Sequence, residues 1–374
     1  SFGHFIAYQK NPDKLNDNLE LRKALLNFIA TFSNWDNSTK SEFLETSRIL
    51  TQVSHEALGG IPGTKPLVVD PFAGGGSIPL EALRIGADAF ASDINPVPIL
   101  LNKVVLEYIP KYGQKLADEV RKWGEWIKKE AEKELAEFYP KDPDGATPIA
   151  YLWVRIINCE GPGCGAEVPL MRSMWLAKKN SKSVALRIVP DIENKKVNFE
   201  IIEDAKSRDV KDGTVKRGSA TCPCCGYTTP VDSVRKQLRF RKGGANDAKL
   251  VAIRYDAPFT GIRTYRLCNE QDIKALKEAK EELEKRKGKY KRDLSLVPNE
   301  ALPPHGTLGF RVQLYGMEKW GDLFTSRQLL SLTTIAGLIR DIQINNDDKE
   351  LEMAIKTCLA LSLDRLADFN SSLC

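Results

Sequence analysis

No apolar run in the 374-residue chain approaches the roughly 18 to 20 residues that a membrane-spanning helix needs. No secretory leader is visible in the sequence from Ser1 onward, where nothing joins a basic start to an apolar core. The chain is therefore expected to be soluble and cytoplasmic, with no membrane partner. It starts on Ser1 rather than Met, and its final stretch "LEMAIKTCLALSLDRLADFNSSLC" keeps a helix-like apolar pattern with no polar tail. Both ends read as cut, and a fragment of a longer protein is expected. Histidine is scarce: His4, His55 and His305 are the three, and none is needed as a base. At this length one hydrophobic core rarely suffices, so two or three domains are expected.

What is present divides the chain into three parts. Over residues 1–140, "LELRKALLNFIATF" places Leu21, Leu25, Leu26 and Ile29 on one helical face. "PLVVD" reads as a short buried strand, "SIPLEALRIGA" as a helix ending at Gly86, and "DAFASD" as a second strand. "KLADEVRKWGEWIKKEAEKELAEFYP" is an amphipathic helix closed by Pro140, and "PKDPDGATP" marks a boundary. Residues 150–268 change to strand-like runs such as "SVALRIV", "VNFEII" and "KLVAIRY". Residues 269–374 open on a Glu- and Lys-rich helix, read as a solvated one, and look helical from Thr325 onward.

Eight cysteines in a cytoplasmic chain of this size point to metal rather than to a disulfide framework. Cys159 and Cys164 have four residues between them, and Cys222 and Cys225 two, each pair on a Gly-containing turn. Two such turns can aim four thiolates at one Zn2+, and four filled positions leave no open site for water, so the ion would be structural. Cys224 could replace a neighbour, but Gly226 after Cys225 favours the chosen pair. Cys268, Cys358 and Cys374 are read as isolated thiols. Between Ala150 and Cys268, 22 Lys and Arg face 12 Asp and Glu, a formal +10 against +5 for the whole chain. The densest run, "VRKQLRFRKGG", carries Arg235, Lys236, Arg239, Arg241 and Lys242 around Phe240. It is read as a nucleic-acid contact, with an ordinary solvated strand as the alternative.

In "VVDPFAGGGSIPLEALRIGADAFASDINP" a glycine loop separates a strand from a helix. Such a turn lets backbone amides approach a ligand. No Lys-Ser or Lys-Thr follows, which excludes a P-loop, and the G-x-G-x-x-G spacing is absent. Asp93, 23 residues beyond Asp70, stands where a carboxylate can hold a ribose diol. An adenosyl ligand without phosphates suits this arrangement.

The segment "DPFAGGGSIPLEAL" resembles the first motif of S-adenosylmethionine-dependent amino-methyltransferases, and "ASDINP" resembles their second. With the two cysteine pairs, "GMEKWGDLFTSRQLLSLTTIAGLI" and "ALSLDRLADFN", the chain is similar to adenine-specific DNA methyltransferases containing a zinc ribbon. The resemblance implies an α/β, Rossmann-like methyltransferase fold, incomplete here, with an inserted β-rich zinc ribbon and a helical C-terminal part. It implies S-adenosylmethionine bound by Asp70, Pro71, Phe72, Ala73, Gly74, Gly75 and Gly76, and by Asp93, Ile94 and Asn95. The glycines would pack against the cofactor, Asp70 and Phe72 would lie near its methionine part, Asp93 would hold the ribose and Ile94 would cover the adenine. Gly75 departs from the usual Ser or Thr.

The reaction implied is methyl transfer to an exocyclic amine of DNA, adenine N6, with the base flipped from its stack. The family's catalytic tetrapeptide, Asp, Asn or Ser before Pro-Pro-aromatic, is not found. "LPPH" lacks the acceptor and the aromatic residue, and "DAPF" lacks the first proline. The tetrapeptide is expected beyond Cys374, and no catalytic residue is assigned. An RNA amino-methyltransferase acting on tRNA guanine N2 and a non-catalytic nucleic-acid-binding module are the alternatives.

Overall fold

The computed structural model describes residues 18–142, 145–179, 182–256, 263–344 and 348–371. His4, Cys374 and residues 257–259 of "DAPF" lie outside them. The described residues form two compact units, one drawn from Ser1–Val120 and Ile344–Cys358, the other from Arg121–Gln343 and Leu359–Cys374.

The first unit opens on helices α1 (Asn18–Phe32) and α2 (Ser41–Ala57). The packed face of α1 differs from the expected one. Leu26 and Ile29 are exposed, whereas Phe28 and Phe32 stack with Phe43 at centroid distances of 5.7 and 6.0 Å. Aromatic area outweighs the aliphatic pair. Strand β1 (Leu67–Asp70), helix α3 (Ser77–Arg84) and strand β2 (Asp88–Ala91) follow, as the apolar runs and Gly86 imply. The strands pair in parallel, Val68 opposite Ala89 and Asp70 opposite Ala91, and α3 packs on both. Leu67, Val69 and Phe90 share one face of the pair and stay exposed. Helix α4 (Pro96–Asn102) is capped by Asn95, whose side chain accepts the Val97 N–H at 3.0 Å, with Pro96 in the first turn. A π-turn over Lys103–Tyr108 leads into α5 (Ile109–Leu135).

The second unit carries the β-rich part. Its strands are β3 (Thr147–Asn158), β4 (Glu167–Pro169), β5 (Trp175–Lys179), β6 (Lys182–Asp191), β7 (Lys196–Glu203), β8 (Val215–Lys216), β9 (Ser219–Thr221) and β10 (Thr228–Thr229). After helix α6 (Val231–Arg241) come β11 (Ala248–Asp256) and β12 (Arg263–Leu267). They form antiparallel sheets in the orders β12-β11-β3-β4, β5-β6-β7 and β10-β9-β8. Val154, Met174, Leu186, Val251 and Ala252 make one shared core.

Helix α6 corrects the strand alternative for "VRKQLRFRKGG". Val234 and Leu238 stand one turn apart and are both buried, and this helical spacing overrides the β-like look of the run. The helical part contains α7 (Glu270–Lys289), α8 (Ser326–Arg340) and the end of α9 (Lys349–Asn370). In "LFTSRQLL", Leu323 and Leu330 are core residues, and Thr325 with Gln328 forms a capping box. Arg327 is buried between the rings of Tyr139 and Tyr151, at 4.6 and 3.8 Å from their centroids. Among the described residues, no helix is long and apolar enough to cross a membrane.

Candidate cofactor site and metal centre

The glycine loop leaves β1 at Asp70 and is fastened to the segment after β2. Asp70 Oδ1 accepts the Phe72 N–H at 3.1 Å, and the Ala73 N–H donates to the Ser92 carbonyl at 3.0 Å. Asp93 then clasps both sides of the site. Its Oδ2 accepts the Gly74 N–H at 3.0 Å and its Oδ1 the Asn95 N–H at 2.8 Å. These N–H groups, Asn95 first and Gly74 second, hold the Asp93 carboxyl below its ordinary range, so it is ionised at neutral pH. Each carboxylate oxygen keeps a further lone pair for a hydroxyl donor. Phe72 and Ile94 are 77% and 92% exposed, large apolar side chains flanking the loop. The Pro71 carbonyl accepts from Ser92 Oγ at 3.3 Å. The side-chain oxygen of Asn95 is committed to capping α4.

The three glycines are not equivalent. Gly74 and Gly76 have φ of 49° and 77°, in the left-handed region, whereas Gly75 does not. A Cβ on Gly75 would meet nothing within 4 Å, but one on Gly76 would lie 2.0 Å from Asn102 Oδ1. The departure at Gly75 is thus sterically neutral. Gly75→Ser is expected to leave the melting temperature unchanged. Gly76→Ala should cost at least the ~1–2 kcal/mol of a left-handed non-glycine residue. Thermal melts of the two variants side by side test this, and equal stability would contradict it.

Residues 44–145 match the family model described as D12 class N6 adenine-specific DNA methyltransferase. Over those residues the chain is similar to that family. The match supports an S-adenosylmethionine-dependent enzyme with DNA as substrate, and it spans α2 almost entirely, both parallel strands and the loop between them. No curated protein and no solved structure matches the chain.

Outside the matched residues the four cysteines meet. Cys159 follows β3 and Cys222 follows β9, so each pair hangs from a strand end. The Cys164 N–H donates to the Gly161 carbonyl at 3.0 Å, and the Gly226 N–H to the Cys222 carbonyl at 3.0 Å, closing two tight turns. The Sγ atoms of Cys159, Cys164, Cys222 and Cys225 all lie within 4.8 Å of one another, with Cys159–Cys225 at 3.5 Å and Cys164–Cys222 at 3.9 Å. A tetrahedron with Zn–S bonds of ~2.3 Å has edges of about 3.8 Å, so the donor set fits such an ion. Burial pushes the Cys159 thiol up to about 12, while the Tyr227 N–H draws the exposed Cys225 down to about 7. Cys224 lies outside the cluster, with its thiol at 3.8 Å from the Lys196 carbonyl. Cys268 and Cys358 also lie outside it.

The basic residues of α6 separate into two sets. Arg241 is held by Asp247 and by the Ile156 carbonyl, Lys242 pairs with Glu318 at 3.0 Å, and Arg235 leans on the Tyr315 ring. Lys236 and Arg239 are exposed beside Phe240, itself 88% exposed. "LPPH" is structural at its first residue. Leu302 is buried with Met317 and Leu323, and its N–H donates to the Glu318 carbonyl at 2.8 Å.

Sequence reasoning missed Asn102. It is buried at the end of α4, and its Nδ2 donates to the Gly74 carbonyl at 3.1 Å. No spacing rule marks a residue that follows the second motif at this distance.

Proposed function

We propose that the chain carries the cofactor half of an enzyme that transfers the methyl group of S-adenosylmethionine to N6 of adenine in DNA. The reading assigns residues 1–140 to a Rossmann-like cofactor half, 150–268 to a basic zinc-ribbon insertion and 269–374 to a helical region. The observation that carries it is the Asp93 clasp, because one ionised carboxylate joins the glycine loop to the second motif where a ribose diol would bind. The cofactor, when bound, supplies an electrophilic methyl on its sulfonium. In this reading Asp93 accepts the ribose hydroxyls, the loop from Asp70 to Gly76 holds the methionine part, and Ile94 covers the adenine. The structural Zn2+ is held by Cys159, Cys164, Cys222 and Cys225. Lys236 and Arg239 meet backbone phosphates, and Phe240 offers a stacking face.

Calorimetric titration of S-adenosylmethionine into the wild-type chain is expected to show saturable binding. In Asp93→Ala the affinity should fall by about a hundredfold, the equivalent of two hydrogen bonds to a charged group at the low end of their range. Because the Asp93 carboxyl titrates below its ordinary range, wild-type affinity should stay flat through neutral and mildly acidic pH and weaken only as the carboxylate protonates. A folded chain that does not bind, or a variant that binds equally well, would refute the assignment. Duplex DNA labelled by the enzyme with its catalytic tetrapeptide present and digested to nucleosides should yield N6-methyladenine; N4-methylcytosine, or label transferred to tRNA guanine, would redirect the substrate.

A further inference from the structure

Gly74 is gripped from both sides by residues that follow β2. Its N–H donates to Asp93 Oδ2 at 3.0 Å, and its carbonyl accepts from Asn102 Nδ2 at 3.1 Å. The same Nδ2 donates to the Pro98 carbonyl at 2.8 Å, one turn back in α4, which ties the amide to a helix. Asn102 is only 6% exposed, and its Oδ1 has no hydrogen-bond partner. That oxygen fills the space a Cβ on Gly76 would need. Gly76 in turn begins α3 in a left-handed conformation with no side-chain cap. The amide therefore touches both left-handed glycines of the loop at once. An unpaired buried acceptor carries a desolvation cost that a residue serving packing alone would avoid.

We infer that Asn102 is the positioning residue of the cofactor loop, setting the Gly74 peptide and the path through Gly76 so that the loop is shaped before ligand arrives. This rests on the cofactor reading above. Asn102 acts through the glycines, and the gain is preorganisation, since a loop already ordered loses less entropy on binding.

Asn102→Leu separates this role from a structural one. Leucine has the shape of asparagine, removes the unpaired Oδ1 and removes the donor to Gly74. Loss of the unpaired Oδ1 relieves one cost, while the Gly74 and Pro98 carbonyls lose their amide donor, so the two effects on stability oppose each other. The melting temperature of the 374-residue chain should therefore change little, and it serves as the control that the variant is folded. S-adenosylmethionine affinity should drop by about tenfold, the fold-change of one net hydrogen bond. Amide hydrogen exchange should speed up over residues 71–76 and stay unchanged in β1 and α2. Asn102→Ser, which can still bond back to Pro98 but is too short for Gly74, should reproduce the affinity loss if the leucine variant does not fold. Wild-type affinity in either folded variant overturns the inference, as does loss of protection across the whole first unit. A wild-type chain that binds no S-adenosylmethionine removes the cofactor reading and this inference with it, an outcome distinct from equal binding by wild type and variant.

Discussion

Replacing Cys222 by Ser is expected to release one zinc ion per chain and to unfold the small core beneath it. Cys222 is 2% exposed, and it sits in one cluster with Ile157, Cys159, Ala166, Val168, Ala220, Val234 and Leu238. The strands around it, β8 to β10, are only two or three residues long. Strands of that length do not hold together unaided. Binding of a structural zinc ion releases on the order of 10–16 kcal/mol in small domains, far more than these contacts supply. Metal analysis of the wild-type chain should find near-stoichiometric zinc, and a strong chelator should cause loss of β-sheet signal and a lower melting temperature. Cys224→Ser serves as the control and should keep the ion, because the Cys224 thiol lies outside the sulfur cluster and faces the Lys196 carbonyl. Metal-free wild-type protein, or zinc retained in Cys222→Ser, would rule out the four-thiolate site.

The cysteine pairs and the glycine loop were legible for one physical reason. Each is a local device whose residues stand within a few positions of one another, so spacing alone carries the geometry. The choice of Cys225 over Cys224 followed from the turn that Gly226 closes, and it agrees with the cluster. Legibility failed where a partner came from far along the chain or where side-chain size outweighed pattern. Helix α2 was not anticipated because Thr46 and Ser47, small polar residues, form part of its buried face. Strand β3 was only partly anticipated because its half-buried residues do not alternate cleanly. In α1 the rings of Phe28 and Phe32, not Leu26 and Ile29, found partners, and the deciding partner was Phe43. Charge counting overstated the contact surface of α6, since Arg241 serves Asp247, six residues on across a turn, and Lys242 serves Glu318, far along the chain.

Arg266 is the clearest such long-range pairing, and Arg266→Met is expected to destabilise the second unit by about 3–5 kcal/mol, as when a buried ion pair loses one partner. Its guanidinium donates to Asp142 at 2.8 and 2.6 Å and to Asp272 at 2.6 and 2.9 Å. The side chains of Asp142 and Asp272 are only 10% and 5% exposed. Asp272 also accepts the Asn269 N–H at 2.9 Å in the capping box of α7. Bonds from Asp272 first, then from Asp142, raise the guanidinium pKa further above its already high ordinary value, so the arginine stays charged at any workable pH. The planar fork therefore fastens β12, the start of α7 and the turn at Asp142 together. Removing it strands two buried carboxylates. A lysine cannot restore four such bonds, so Arg266→Lys should recover little. Adding Asp142→Asn to Arg266→Met should return part of the loss, because one uncompensated charge is gone while the chain trace is kept. Melts of the single and double variants decide it. At roughly 2–4 °C per kcal/mol for a unit of this size, the single variant should melt about 10 °C lower. A double variant no more stable than the single one would show that Arg266 acts through packing, not through the charges it neutralises.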